Sequence, residues 1–112
     1  MEMTREELLK LIESKEVIGV DLSGQRLEKI DFTGCRIERT SFKGCELVHC
    51  RFRNAKISWS DFRYAEIQHG TFEGAEIEFS DFYRAFIDGV VIFSGSSFSN
   101  CSLNKTYLGE CA

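Results

Sequence analysis

The chain of 112 residues contains no proline. Proline removes a backbone donor and interrupts ladders of hydrogen bonds. Its absence suits a backbone whose N–H groups are nearly all wanted for pairing. No stretch is long and apolar enough to span a bilayer. The first residues, Met1-Glu2-Met3-Thr4-Arg5-Glu6-Glu7, are charged where a secretory signal needs an apolar run. A cytoplasmic protein without membrane attachment is therefore expected. The five cysteines are odd in number and lack any Cys-x-x-Cys spacing, which argues against disulfides or a cysteine metal site. Neither sign of charge dominates, since 14 basic and 18 acidic side chains give a formal −4. The length corresponds to one domain.

What the chain has instead is a period of five. Every fifth residue from Leu22 to Ile92 is Leu, Ile or Phe, fifteen positions in succession. By composition alone such a run has a probability on the order of one in a billion. Two residues before each of these centres runs a second column, from Val20 to Val90. It is made of small residues apart from Gln25 and Ile30. The three remaining positions carry nearly all the charge. Neither a helix nor a flat strand buries every fifth residue. A coil that turns a corner every five residues does, with the centre and its small partner pointing inward. Gly24, Gly34, Gly44 and Gly74 fall two after a centre, where a corner favours positive φ.

The centres alternate. Phe occupies 32, 42, 52, 62, 72 and 82, and Ile or Leu occupies 37, 47, 57, 67, 77 and 87. Like residues stack best on themselves, so the number of pentapeptides per coil is even. Two enclose nothing, and four give a square section of twenty residues per coil, with coils roughly 4.8 Å apart. Ahead of the solenoid, residues 3 to 15 read as a short helix. Thr4 and Glu7 form a capping box, and Leu8, Leu11, Ile12 and Leu9 form an apolar stripe. Residues 1–16 are expected as an N-terminal cap and 17–112 as about 4.5 coils. After Ile92 the next centres are Phe98, Leu103 and Leu108, which places one inserted residue within Phe93–Ser97, with Gly95 as the bulge.

Segments such as Ala65-Glu66-Ile67, Ser60-Asp61-Phe62 and Ser80-Asp81-Phe82 resemble the A(D/N)LXX motif of the pentapeptide-repeat family. The resemblance covers residues 20 to 111. It implies an all-β fold, a right-handed quadrilateral parallel β-helix. Members known as quinolone-resistance proteins are rod-like dimers that join through their C-terminal ends and bind DNA gyrase as acidic mimics of DNA.

The candidate chemistry is sparse. Cys35, Cys45, Cys50, Cys101 and Cys111 all fall in the small inward column and read as buried free thiols. His49 and His69, twenty apart, read as a surface ladder, and neither a metal nor a cofactor is expected. A filled square interior offers no enclosing pocket for an acid–base pair, and no nucleophile–His–acid set is evident. A non-enzymatic protein follows, although a ligand-sized pocket holding both histidines would reopen catalysis. Charge is segregated along the axis. Residues 25–57 carry net +4, including Arg36, Arg39, Lys43, Arg51, Arg53 and Lys56, and residues 61–88 carry net −5. The acids Asp61, Glu66, Glu73, Glu76, Glu78, Asp81 and Asp88 are the candidates for DNA mimicry toward gyrase. Such mimicry needs a continuous acidic face. Direct nucleic-acid binding by the basic half is not expected.

Outward aromatics are the more unusual feature. Trp59 and Phe79 fall at equivalent corners one coil apart, and Tyr64, Tyr83, Phe86, Val91, Phe93 and Tyr107 are also placed outward. Trp59, Phe79, Tyr83, Phe86, Phe93 and Tyr107 are the candidate partner-binding residues. Leu103 and Leu108 are the candidate dimer end. The reading is a non-catalytic protein-binding or assembly module that forms a homodimer through its C-terminal coil and meets a further protein partner.

Overall fold

The computed structural model describes residues 2–109, 111 and 112. One helix, α1 (Arg5–Glu13), precedes a series of very short strands. In chain order these are β1 (Glu16–Ile18), β2 (Arg26–Glu28), β3 (Arg36–Glu38), β4 (Glu46–Val48), β5 (Lys56–Ser58), β6 (Glu66–Gln68), β7 (Glu76–Glu78), β8 (Phe86–Asp88), β9 (Ser97–Ser99) and β10 (Tyr107–Leu108). All pairing is parallel. Odd strands form one five-stranded sheet and even strands another. Partners such as Val17↔Ile37↔Ile57↔Ile77 are twenty residues apart, so four pentapeptides complete one coil. The first and third walls are these sheets and carry Ile and Leu inward. The second and fourth walls carry Phe and pair through single bridges such as Asp21↔Ser41 and Asp31↔Arg51. The result is a parallel β-solenoid of about five turns, one rung earlier at its start than the sequence count because Val17 is also a buried centre.

The strand walls stack Ile and Leu inward, with Val17 and Phe98 at the two ends of the first, and the Phe walls stack rings. Phe42, Phe62 and Phe82 lie ring on ring at 4.7 and 4.6 Å, and Phe32, Phe52 and Phe72 at 4.7 and 4.6 Å. The two ladders meet edge to face across the interior, as in Phe32–Phe42 at 5.8 Å and 83°. Each Phe wall ends in a hydrogen-bonded turn, for example Gln25 N–H to the Leu22 carbonyl and Cys35 N–H to Phe32. The third residue of each turn has positive φ, and Gly24, Gly34, Gly44 and Gly74 fill it at 68–74°. These are type II turns, which demand that conformation there.

The capping box forms as expected. Glu7 N–H donates to Thr4 Oγ1 at 3.1 Å and Thr4 N–H to Glu7 Oε1 at 2.9 Å. Leu8 is buried and Leu11 and Ile12 half-buried, but Leu9 is exposed and lies off the stripe. The helix docks on the first coil. Gln25, out of place in the small column, donates to the Met3 carbonyl, and Arg5 donates to the Glu28 carbonyl.

The register slip lies elsewhere than expected. Gln68↔Asp88 still pairs at a spacing of twenty, whereas Thr71↔Ile92 and Ile77↔Phe98 pair at twenty-one, and Val91↔Cys111 returns to twenty. The inserted residue is therefore Val90, next to the corner residue Gly89. Both have positive φ, at 43° and 66°. Val91 takes the small inward place and is fully buried, while Val90 is 55% exposed and Ile92 36% exposed. The fourth-wall centre is Phe93, stacked on Phe72 at 5.3 Å and 9°. Ile92, Val90, Val91 and Phe93 thus each occupy the opposite side from that assigned by sequence. Gly95, at φ 70°, is an ordinary type II corner.

Candidate functional site

Five-residue arithmetic sorts the outward side chains into columns. On the Phe walls, the residue before each centre is Asp, Ser or Thr in most rungs, and each binds its own turn. Ser23, Thr33, Arg63 and Tyr83 donate backbone N–H groups to Asp21, Asp31, Asp61 and Asp81, all at 2.9 Å. Ser41 and Thr71 accept in the same way from Lys43 and Glu73. These are Asx and ST turns. The Asp31 carboxyl is held below the usual range, first by its Thr33 hydrogen bonds. Burial pushes the Asp61 carboxyl up, and its bonds with Arg63 more than offset this. The aspartates that stand out in sequence are thus corner supports.

The cysteines are packing groups with a polar handle. The Cys45 and Cys50 thiols donate to the Leu22 and Leu27 carbonyls of the coil below, at 2.9 and 3.3 Å. Thr40 Oγ1 reaches the Val17 carbonyl at 3.1 Å from the equivalent place. Burial pushes the Cys35 and Cys50 thiols up, and that of Cys45 to about 11. Cys101 is only half-buried and Cys111 is exposed, contrary to the expectation of five buried thiols. Both lie in the last coil, over which no described residue stacks. No group of three or more His, Cys, Asp or Glu among the described residues is placed to hold a metal.

The outward aromatics gather on one side. Trp59 and Phe79 sit on the corner between the first and second walls, stacked at 4.6 Å and 5°. Tyr83 lies on the second wall and meets Tyr64, at its far corner, edge to face at 5.8 Å. Arg84 lies 5.5 Å over the Tyr83 ring. Phe86 and Tyr107 stack at 4.6 Å on the adjoining edge of the third wall. The band runs across the second wall and both its corners, in the C-terminal half. Of the candidate partner-binding residues, only Phe93 is missing from it, because it is an inward centre. Leu103 and Leu108 are centres of the last coil and are 44% and 56% exposed. The outward position of Tyr64, Trp59 and Phe79 requires φ of 61, 52 and 49°, which is costly for bulky side chains.

The seven candidate mimicry acids do not share a face. By register, Glu76 and Glu78 lie on the first wall, Asp61 and Asp81 on the second, Glu66 and Asp88 on the third, and Glu73 on the fourth. Asp61 is paired with Arg63 at 2.7 Å and Glu73 with Arg53 at 2.8 Å. Part of the basic segment is paired too, with Arg26 bound to Glu28 and Glu46 and Arg36 bound to Glu16 and Glu38. These pairs are solvent-exposed and contribute about 0–1 kcal/mol each.

His49 and His69 stack at 5.1 Å and 18° on the corner between the third and fourth walls. They line an open groove of about 820 Å³ with Lys29, Arg51, Thr71, Val90 and Ile92. It is large enough to take a small molecule and holds both histidines, which is the condition under which the sequence left catalysis open. Among the described residues neither imidazole hydrogen-bonds to a hydroxyl, thiol or carboxylate, although Asp31 and Thr71 line the same groove. No helix among the described residues is long and apolar enough to cross a membrane.

Comparison with known proteins agrees with this architecture. Residues 16–88 match the family model described as the pentapeptide repeat region. A comparison with curated proteins finds no match. Among solved structures, the chain is similar to a pentapeptide repeat protein from the Arabidopsis thaliana thylakoid lumen, at 25% identity and a TM-score of 0.71. That similarity covers 78% of this chain and 61% of the other, so the chain spans about three fifths of that protein's length. It is also similar to the pentapeptide repeat protein Rfr23 of the cyanobacterium Cyanothece 51142, at 14% identity, 95% and 92% coverage and a TM-score of 0.37. A third likeness is to QnrB1, a plasmid-mediated fluoroquinolone resistance protein, at 14% identity, 86% and 80% coverage and a TM-score of 0.34. With two strand walls and two Phe walls in a twenty-residue register, and a family match over most of its coils, the chain belongs to the pentapeptide repeat family.

Proposed function

We propose that the chain is a non-catalytic protein-binding module, acting in the cytoplasm, that pairs with a second copy of itself through its last coil and the aromatic band beside it. One observation carries this reading. Gly19 in one corner column, and Gly24 and Gly44 in the next, fill left-handed corners of the N-terminal coils, whereas Trp59 and Phe79 stand further along the first column and Tyr64 along the second. Each such aromatic costs roughly 1 kcal/mol of backbone strain relative to glycine. Their rings are displayed outward, with Trp59 63% exposed. Trp and Tyr are enriched at the energetic centres of interfaces. Leu103 and Leu108 extend the same apolar surface onto the end of the solenoid. Light scattering on the purified chain at tens of micromolar should return a dimer, and Leu108→Lys a monomer. A wild-type monomer would end this reading.

The resemblance to quinolone-resistance proteins offers DNA mimicry toward gyrase as the alternative. Its acidic residues lie on all four walls and two of them are ion-paired, which gives that reading less support. Gyrase supercoiling, with and without a quinolone, should be unchanged by micromolar protein. A change in either assay would restore the alternative.

A further inference from the structure

The groove beside the histidine ladder lies against the fourth wall, across the solenoid from the aromatic band, so it stands or falls separately from the protein-binding reading. It is graded along the axis. In successive coils its two rims carry Lys29 and Asp31, His49 and Arg51, His69 and Thr71, and finally Val90 and Ile92. Three rung spacings make this about 14 Å long. The charged end faces a hydroxyl and then an apolar wall.

Two structural facts set this groove apart from the rest of the surface. Arg26, Arg36, Arg53 and Arg63 all have carboxylate partners. Arg51 makes no side-chain hydrogen bond or ion pair among the described residues, although Asp31 is near enough to be influenced by its charge. The Thr33 N–H and hydroxyl hold the Asp31 carboxylate through its Oδ1, and among the described residues no ion pair joins Asp31 to Arg51. The guanidinium therefore keeps its donors available. The second fact is the inserted Val90. Its insertion leaves Gly89 at the corner, where a Cβ would come within 2.7 Å of the His69 ring. The ring lies against bare backbone, and Val90 and Ile92 turn outward to close the apolar end. At the floor, Gly70 has no room for a Cβ, which would stand 2.6 Å from the Cys50 carbonyl oxygen. The irregularity in the repeat and the groove's end wall are thus one feature.

We infer that this groove binds a phosphate monoester of an apolar or aromatic alcohol. The phosphate sits between Arg51, Lys29 and His49, where a guanidinium supplies paired donors and the lysine a point charge. The organic portion lies past Thr71 against Val90 and Ile92.

The test uses the whole chain, labelled so that the ring signals of its two histidines can be followed by NMR. It is titrated with inorganic phosphate, phenyl phosphate and phenylacetate. Saturable shifts of both histidines are expected with both phosphates, with phenyl phosphate bound at least about tenfold more tightly because its ring is buried. Arg51→Gln should weaken both by about tenfold or more. Val90→Ser should remove only the advantage of phenyl phosphate, and Arg53→Gln, already paired with Glu73, should change neither. If Arg51→Gln lowers the melting temperature, Lys29→Gln decides in its place. The proposal is overturned by an absence of saturable shifts at millimolar phosphate, by unchanged binding in both Arg51→Gln and Lys29→Gln, or by phenylacetate binding as tightly as phenyl phosphate. A single-stranded oligonucleotide that outcompetes phenyl phosphate would also overturn it in favour of nucleic acid.

Discussion

Deletion of Val90 tests the reading of the repeat at one residue. In the native chain Val90 is a β-branched residue at φ 43° with 55% of its surface exposed. The left-handed conformation costs roughly 1–2 kcal/mol. Loss of its partly buried side chain forfeits about 1 kcal/mol. Removing it leaves Gly89 as the corner, Val91 as the small inward residue and Phe93 as the centre, an uninterrupted pentapeptide. The net change should lie between about zero and 1 kcal/mol in favour of the deletion, and the melting temperature should be unchanged or higher by up to about 8 °C. Deleting His69, the equivalent corner one coil earlier, is the contrast. It would turn Glu73, Glu78, Tyr83 and Asp88 inward in place of the buried Phe72, Ile77, Phe82 and Ile87. Four large apolar side chains at about 1.5–3 kcal/mol each approach the whole stability of a small domain. That variant should not fold. Circular dichroism with urea titration reads both. Deletion of Gly95 should also be damaging, because it moves Phe98 and Leu103 off their centres. A Val90 deletion that unfolds, beside a tolerated Gly95 deletion, would refute the placement of the slip.

Further outcomes follow from the packing. Phe62→Ala removes a fully buried ring stacked between Phe42 and Phe82 and should cost about 3–5 kcal/mol in urea unfolding. Tyr64→Gly relieves a left-handed tyrosine, so stability should stay within about 1 kcal/mol of wild type while self-association weakens. In the Leu108→Lys monomer a thiol reagent should label Cys111 and Cys101, and Cys35, Cys45 and Cys50 only on unfolding. The Cys45 thiol, pushed by burial to about 11, keeps its proton when folded, whereas an unfolded cysteine loses it near about 8.5. The unfolded chain then binds fewer protons, so stability should decline as pH rises from about 8.5 toward 11. Cys45→Ala should flatten that decline.

The period and its Phe/Ile alternation contain the fold almost entirely, because each inward position is specified twice, by size and by what it stacks on. The slip was misplaced because two frames satisfy the apolar rule: Val90 with Ile92, and Val91 with Phe93. The alternation chooses between them, since the fourth wall carries Phe32, Phe52 and Phe72 and calls for Phe93 rather than Ile92. The aspartates before the Phe centres were legible as a column, but their role as turn acceptors follows from the corner geometry. The exposure of Cys111, Leu103 and Leu108 depends on what lies over the last coil, which no side-chain pattern within that coil encodes. The groove arises where two columns face each other across Gly70. The histidine pair was visible as a twenty-residue spacing, whereas the unpaired state of Arg51 depends on how every other charge is satisfied.

The proposed role rests most directly on the mass of the particle in solution. Multi-angle light scattering of the wild-type chain at tens of micromolar should give twice the mass of the 112-residue chain, with Leu108→Lys and Trp59→Ala each shifting it toward the single-chain value at unchanged melting temperature. A wild-type mass equal to one chain across that range would contradict the assembly role.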